Sequence, residues 1–120
     1  MPHLHLEYTA NLTGLAVEKT LLRLNNVLMA SGQFSSELDI KSRAVKVETF
    51  QVGTSLEARG FIAVKLSLLS GRPPQVKKQL SDSLLAALQD MGDWPEGFQV
   101  QLSVQLVDMD RDCYSKVAIG

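Results

Sequence analysis

The residue with the most unusual chemical potential lies at the start of the chain. Pro2 follows Met1 directly, and removal of Met1 would leave Pro2 as a terminal secondary amine. A free α-amine has a pKa of about 7.7 to 8.0, so it can act as a general base near neutral pH, whereas the amide nitrogen formed with Met1 cannot. Proline is also sterically allowed at the first position of a strand, so a purely structural role is the alternative.

Three other potentially reactive side chains give weaker signals. His3 and His5 lie two residues apart, but two imidazoles without a further cysteine, histidine or well-placed acid make a poor zinc site. Cys113 is the only cysteine, which excludes an intrachain disulfide and favours a reducing compartment. Aspartates at three positions of the run 108–112 disfavour the thiolate of Cys113, so we do not expect it to be a nucleophile.

The composition is that of one ordinary globular domain, which we expect to span residues 1–120. Hydrophobic residues make up 45% of the chain and charged residues 21%. The formal net charge of −1 leaves no basic field for binding nucleic acid. We found no targeting segment and no apolar run long enough to span a membrane, so we expect a soluble cytoplasmic protein without a membrane partner.

The first half of the chain reads as strand, helix and strand. Apolar residues alternate with polar ones over residues 2–8, which predicts a strand with one buried face. Asn11 or Thr13 is the expected N-cap of a following helix, which Gly32 ends. The segment Ile40–Val52 is rich in β-branched residues and is predicted to be extended.

The second half repeats this order. Phe61–Leu69 alternates strongly and predicts a strand, and the following prolines, Pro73 and Pro74, are suited to a helix start. The helix is predicted to run to about Met91, with Gly92 as its stop. The alternating residues 98–106 then predict a last strand.

Two consecutive strand–helix–strand units indicate an internal duplication, with pseudo-repeats of roughly 2–52 and 61–107. The strands within each unit should be parallel with a right-handed crossover, which gives a two-layer α/β sandwich: a four-stranded sheet with two helices on one face. The opposite sheet face would be polar, which fits either plain solvation or a ring of subunits around a water-filled channel. Its residues would be His3, His5, Glu7, Lys65, Ser67, Gln99, Gln101, Ser103 and Gln105.

Several segments together resemble a known enzyme family. They are the opening Pro-His-Leu-His-Leu-Glu-Tyr, the segment 40–43, the strand 61–69 and the Ser-Gly-Arg turn that ends at Arg72. The chain resembles the 5-carboxymethyl-2-hydroxymuconate isomerases of the tautomerase superfamily over nearly its whole length. The combination of Pro2 with Arg72 is the most specific part of this resemblance.

The resemblance implies a homotrimer with sheets inside, helices outside and a pocket near each terminal proline. That arrangement favours the channel over the solvated face. The implied reaction moves a proton between oxygen and carbon of a dienol diacid, converting a 2-hydroxymuconate to its 2-oxo form in homoprotocatechuate breakdown. Pro2 would be the acid–base catalyst, the substrate a small anion, and no cofactor would be needed.

The resemblance also assigns cationic residues. Arg72 would bind a carboxylate and stabilise oxyanion charge, and Lys41 or Arg43 would bind substrate. The family pattern has Arg-Ser-Arg where this chain has Lys41-Ser42-Arg43. Lysine keeps the charge but loses the planar fork, so carboxylate recognition should be less directional and the substrate could differ.

Two alternatives stay open at the level of sequence. One keeps the fold and the Pro2 amine but assigns hydration or decarboxylation of another unsaturated acid. The other is a non-catalytic trimeric assembly or binding protein that retains Met1, in which the Pro2 nitrogen would never be a free amine.

Overall fold

A mixed four-stranded sheet and two long helices make up the fold. The structure is a computed structural model that describes all residues 1–120. In chain order the elements are β1 His3–Thr9, α1 Val17–Ala30, β2 Lys41–Val47, β3 Arg59–Leu69, α2 Pro74–Asp90 and β4 Gln99–Met109. Single 3-10 turns lie at Glu37–Asp39 and Arg111–Cys113. Neither helix is both long enough and apolar enough to cross a membrane.

The strand order is β2-β1-β3-β4. The pairs β1/β2 and β3/β4 are parallel, as the two strand–helix–strand units predict, and the central pair β1/β3 is antiparallel. His3 lies opposite Lys41 on one side and opposite Ser67 on the other. The starts of β1 and β2 and the ends of β3 and β4 therefore share one end of the sheet, which we call the proline end because Pro2 lies there.

The core lies between one face of the sheet and the two helices. Alternate residues of β1 and β3 are buried, as their period-two patterns predict. Leucines of α1 and α2 at helical spacing pack against them. The fully buried apolar side chains are Leu4, Leu6, Leu24, Leu28, Ile62, Leu66, Leu68, Leu84 and Leu88. The polar residues of the strands are left on the opposite face.

Helix α1 begins later than its predicted cap, so the expectation of Asn11 or Thr13 at the N-cap is wrong. The N-cap is Ala16, without a side-chain hydrogen bond to the helix. The Asn11 amide instead donates to the Arg59 carbonyl at 2.8 Å and joins the end of β1 to the start of β3. This tertiary contact replaces the local one, since Asn side chains bond any backbone group within reach.

The predicted extended segment Ile40–Val52 is too long, because β2 ends at Val47. Beyond it, Phe50 packs edge-on against Phe61 with ring centroids 6.2 Å apart. Composition marks this stretch as β-forming, yet the backbone leaves the sheet after Val47, and Phe50 packs on a side chain of β3. β-propensity depends on such neighbours more than on the backbone itself.

The two glycines predicted to end the helices do so differently. Gly32 has φ +76°, the left-handed conformation that favours glycine after a helix. Gly92 does not have a positive φ, and its role is space: a Cβ there would lie 1.8 Å from the Trp94 indole. Trp94 packs against the core from this position.

Candidate active site

Pro2 is held at the proline end by the strands on either side. Its ring is fully buried, and its carbonyl accepts a hydrogen bond from the Lys41 amide at 3.1 Å. On the other side of β1 lies β3, where Ser67 is opposite His3. Pro2 and Leu68 are the next residues beyond this pair. Pro2 is thus fixed by the sheet rather than carried on a free terminus.

Asp39 organises the surroundings of the terminal amine. Its backbone carbonyl accepts hydrogen bonds from the α-amine of Met1 at 2.9 Å and from the Lys41 ammonium at 3.0 Å. Its carboxylate pairs with the Lys116 ammonium at 2.6 Å. One residue therefore gathers the amine and two lysines at the start of β2.

This environment makes the terminal amine a base at neutral pH. Burial, followed by the hydrogen bond and charge of Lys41 and then the charge of Lys116, lowers the pKa of the Met1 α-amine to about 6. The Asp39 charge raises this pKa, but its effect is weaker than those of burial and the two lysines. A neutral amine is therefore the main form at pH 7. While Met1 is attached, this amine belongs to Met1 and the Pro2 nitrogen is an amide.

Arg72 lies on the other side of β1 and is fixed by three hydrogen bonds. Nη1 donates to the Leu69 carbonyl at 3.2 Å, Nη2 to the Gln33 carbonyl at 3.1 Å and Nε to Gln33 Oε1 at 3.3 Å. Its guanidinium stacks over the Phe34 ring, 5.0 Å from the centroid. A guanidinium has five N–H donors, so two remain for a ligand.

Arg43 lies farther along the polar face and is bound to His3. Arg43 Nη2 lies 2.8 Å from His3 Nδ1, and the Tyr114 hydroxyl lies 3.2 Å from His3 Nε2. Because arginine can only donate, Nδ1 must accept and Nε2 carries the proton. Burial and the Arg43 charge also lower the pKa of His3, in agreement with a neutral ring. Both nitrogens of His3 are therefore engaged with protein groups.

The structure brings some of the residues predicted from sequence together and separates others. Lys41 lies beside the terminal amine, and Arg43 belongs to the neighbouring polar face. Arg72 is at the same end of the sheet, but no hydrogen bond or ion pair joins it to residues 1–3. A bound molecule would have to span the start of β1 to contact both Lys41 and Arg72.

Sequence reasoning missed residues that complete this site. Asp39 and Lys116 surround the amine, Tyr114 orients His3, and Gln33 with Phe34 holds Arg72. None of these lies in a periodic pattern or a motif. The only sequence signal was the Asp39 carboxylate just before β2. The sequence does not show that its partner, Lys116, lies in the tail.

Comparison with known proteins identifies the family. The sequence matches the family model of 5-carboxymethyl-2-hydroxymuconate isomerase over residues 2–118. The chain belongs to the 5-carboxymethyl-2-hydroxymuconate isomerase family. The family resemblance that rests on Pro2 and Arg72 is therefore confirmed, although the roles of these residues stay predictions. No curated protein matches the chain.

Solved structures agree with this family assignment. A 5-carboxymethyl-2-hydroxymuconate isomerase from Deinococcus radiodurans R1 is 28% identical, with a TM-score of 0.80 over 97% of this chain and 88% of that one. A 5-carboxymethyl-2-hydroxymuconate delta-isomerase is 14% identical, with a TM-score of 0.71 over 100% and 89% of the two chains. A fused 4-OT, described as a wild-type symmetric trimer, is 18% identical, with a TM-score of 0.70 over 92% and 87%. The last two are too distant in sequence to indicate more than the tautomerase fold.

The lowered amine pKa gives a direct test of the site. In protein that keeps Met1, prepared with methionine aminopeptidase inhibited, the α-amine should titrate at about 6 and be acylated faster than the lysines at pH 7. The measurement is acylation rate against pH, with the modified residue identified by mass spectrometry. The same chain unfolded in urea is the control, and its α-amine should return to 8.0. Equal values in the two states would contradict the geometry.

Proposed function

We propose that this member of the family is a cofactor-independent isomerase of a 2-hydroxymuconate-type diacid, and that it acts in the breakdown of an aromatic compound. Pro2, once freed of Met1, is the acid–base catalyst. The observation that carries the proposal is the geometry at the proline end, where Pro2 is buried within the sheet and Lys41 and Lys116 gather at Asp39. The same surroundings lower the pKa of the Met1 α-amine, which the Pro2 amine would replace, to about 6. A general base is most effective when its pKa lies near the working pH.

The reaction is a proton transfer and needs no oxidant or reductant. The neutral Pro2 amine takes the proton of the dienol hydroxyl, and the oxygen becomes a carbonyl as its electrons move along the diene. The protonated amine then returns a proton to carbon, which leaves the amine neutral and the 2-oxo product isomeric with the substrate. The buried position of Pro2 supports this role, since desolvation favours the neutral amine.

The cations around β1 would bind the two carboxylates and the developing oxyanion. Arg72 has two guanidinium N–H groups free and is held rigidly by its bonds to Gln33 and Leu69. Preorganised donors of this kind stabilise charge that appears in a transition state. Lys41 would bind on the opposite side of β1, with Arg43 contributing through the polar face.

A homotrimer fits the surface that a single chain leaves uncovered. Both outer strands, β2 and β4, have one unpaired side, and Val45 on β2 is 55% exposed. Unpaired strand edges invite pairing with another chain. The trimeric fused 4-OT proteins of the same fold support a trimer here, with the polar sheet faces turned toward a central channel.

The assembly can be tested directly. Sedimentation equilibrium should give the mass of three 13.2-kDa chains at micromolar concentration. Replacement of the exposed Val45 by lysine should lower the association constant, because a charge would enter the shared edge. As a control, Leu56→Lys changes a side chain that is 96% exposed in a loop and should leave the mass unchanged. A monomer in the unaltered protein would contradict the proposed trimer.

The Pro2 assignment is tested with two proteins that differ only at the terminus. In protein whose Met1 removal has been checked by intact mass, we expect rapid conversion of 5-carboxymethyl-2-hydroxymuconate, followed by ultraviolet absorbance. Protein that keeps Met1, and Met1-free Pro2→Ala, should be slower by about 10² to 10⁴, the usual contribution of one acid–base group. Pro2→Ala retains a primary amine and should be the faster of the two. Equal rates in all three proteins would exclude Pro2 as the catalyst.

The Arg72 assignment has a matched control on α1. Arg72→Ala should lower kcat/KM by about 10² to 10³, the loss typical of removing an oxyanion donor. Arg72→Lys should recover only part of the rate, because lysine has no planar fork. Arg23 pairs with Asp90 on the surface, so Arg23→Ala should not change the kinetics. Circular dichroism verifies folding, and full activity in folded Arg72→Ala would place the oxyanion site elsewhere.

A further inference from the structure

The C-terminal tail runs across the proline end. After β4 ends at Met109, three tail side chains contact, in order, the residue after β3, the first residue of β1 and the turn just before β2. The contacts are Arg111 Nε to the Ser70 carbonyl at 2.6 Å, the Tyr114 hydroxyl to His3 Nε2 at 3.2 Å, and Lys116 Nζ to Asp39 Oδ1 at 2.6 Å. The tail therefore crosses the start of β1 at His3, the residue after Pro2.

This path adds one cation on each side of β1. On the β3 side, burial lowers the pKa of Arg72, and Arg111 lies close enough for its charge to add to this effect. On the β2 side, Lys116 joins Lys41 around Asp39. Arg72 and the tail residue Arg111 therefore lie on the β3 side of β1, and Lys41 and the tail residue Lys116 lie on the β2 side.

We propose that Lys116 is a specificity-determining residue that binds one carboxylate of a diacid substrate together with Lys41. The proposal rests on the proposed isomerase function and goes beyond it by making the tail part of the binding site. Lys116 lies far from the strands in sequence, and only the fold of the tail brings it to the Pro2 surroundings.

The charges around Asp39 add up to one positive charge, which one substrate carboxylate would balance. Lys41 and Lys116 bring two positive charges and Asp39 one negative charge. The remaining single positive charge is balanced by one carboxylate. An ammonium has three N–H donors, and Asp39 uses one of those on Lys116. The Lys116 side chain is 35% exposed, so a ligand can reach the others.

Lys41 and Lys116 together can supply the two donors that an arginine at position 41 would supply alone. A carboxylate that binds one guanidinium receives two parallel N–H donors, whereas a single lysine offers only a point charge. Lys41 and Lys116 approach Asp39 from different directions, one at its carbonyl and the other at its carboxylate. A carboxylate between them would again have two donors, one for each oxygen.

Equilibrium binding of an unreactive diacid tests this role without catalysis. The probes are adipate, which has two carboxylates, and its monomethyl ester, which has one, measured by calorimetry with the Met1-free protein. We expect the unaltered protein to prefer adipate by about tenfold or more, the contribution of one charged hydrogen-bonding partner. Lys116→Met should abolish the preference, and Lys116→Arg should retain it.

Lys78 provides the matched control. It is an exposed lysine on α2 that pairs with Asp82, so Lys78→Met removes the same charge far from the site. This variant should keep the preference for adipate. A second readout separates binding from a purely structural role of the tail: loss of the Lys116 charge should raise the pKa of the terminal amine, since that charge helps to lower it. Lys78→Met should not move it.

The outcomes distinguish this proposal from the isomerase function. If Lys116→Met binds adipate as Lys78→Met does, or if the unaltered protein does not prefer adipate, the Lys116 assignment is wrong whatever the activity. If the preference follows Lys116 but conversion of the dienol does not depend on Pro2, the isomerase mechanism fails and the diacid site stands. For an active enzyme, Lys116→Met should raise KM more than it lowers kcat.

Discussion

The antiparallel pairing of β1 with β3 is the constraint on which the site depends. Its register, with His3 opposite Ser67, places the start of the first strand beside the ends of β3 and β4. The turn that carries Arg72 and the tail that carries Lys116 both leave the sheet at this end. A slip of one residue would turn the buried leucines of β1 toward the polar face, so the hydrophobic core and the active-site geometry are fixed by the same hydrogen bonds.

The local charge at the proline end differs from that of the whole chain. The formal net charge of the protein is −1, yet Lys41, Lys116, Arg72 and Arg111 gather around the start of β1 with Asp39 among them. This concentration serves two purposes in the proposed mechanism. All four cations would attract an anionic substrate, and Lys41 and Lys116 add to burial in lowering the pKa of the terminal amine. A bound dianion would add negative charge beside the amine, so the pKa of the amine should rise once the substrate is in place.

The sequence predicts most of the fold because the core requires clear periodicities. Alternation in β1 and β3 and the leucine spacing of the helices identify the elements, and the crossover rule gives their parallel pairs. Errors occur where a tertiary contact replaces a local preference, as at Asn11, which bonds Arg59 rather than capping a helix. The candidate site was only partly predictable. Pro2, Arg72 and Lys41 come from the family resemblance, whereas Lys116 belongs to a tail without periodicity and meets Asp39 77 residues earlier in the chain.

The contact between His3 and Tyr114 joins residues that are 111 positions apart, so the site is completed only when almost the whole chain has been synthesised. In the folded protein the Met1 amine is half-buried and bonded to the Asp39 carbonyl. Removal of Met1 is easier while the nascent N-terminus is still unpaired, because that hydrogen bond has not yet formed. In the proposed mechanism, a chain that folds and keeps Met1 would have a native structure without the catalytic amine.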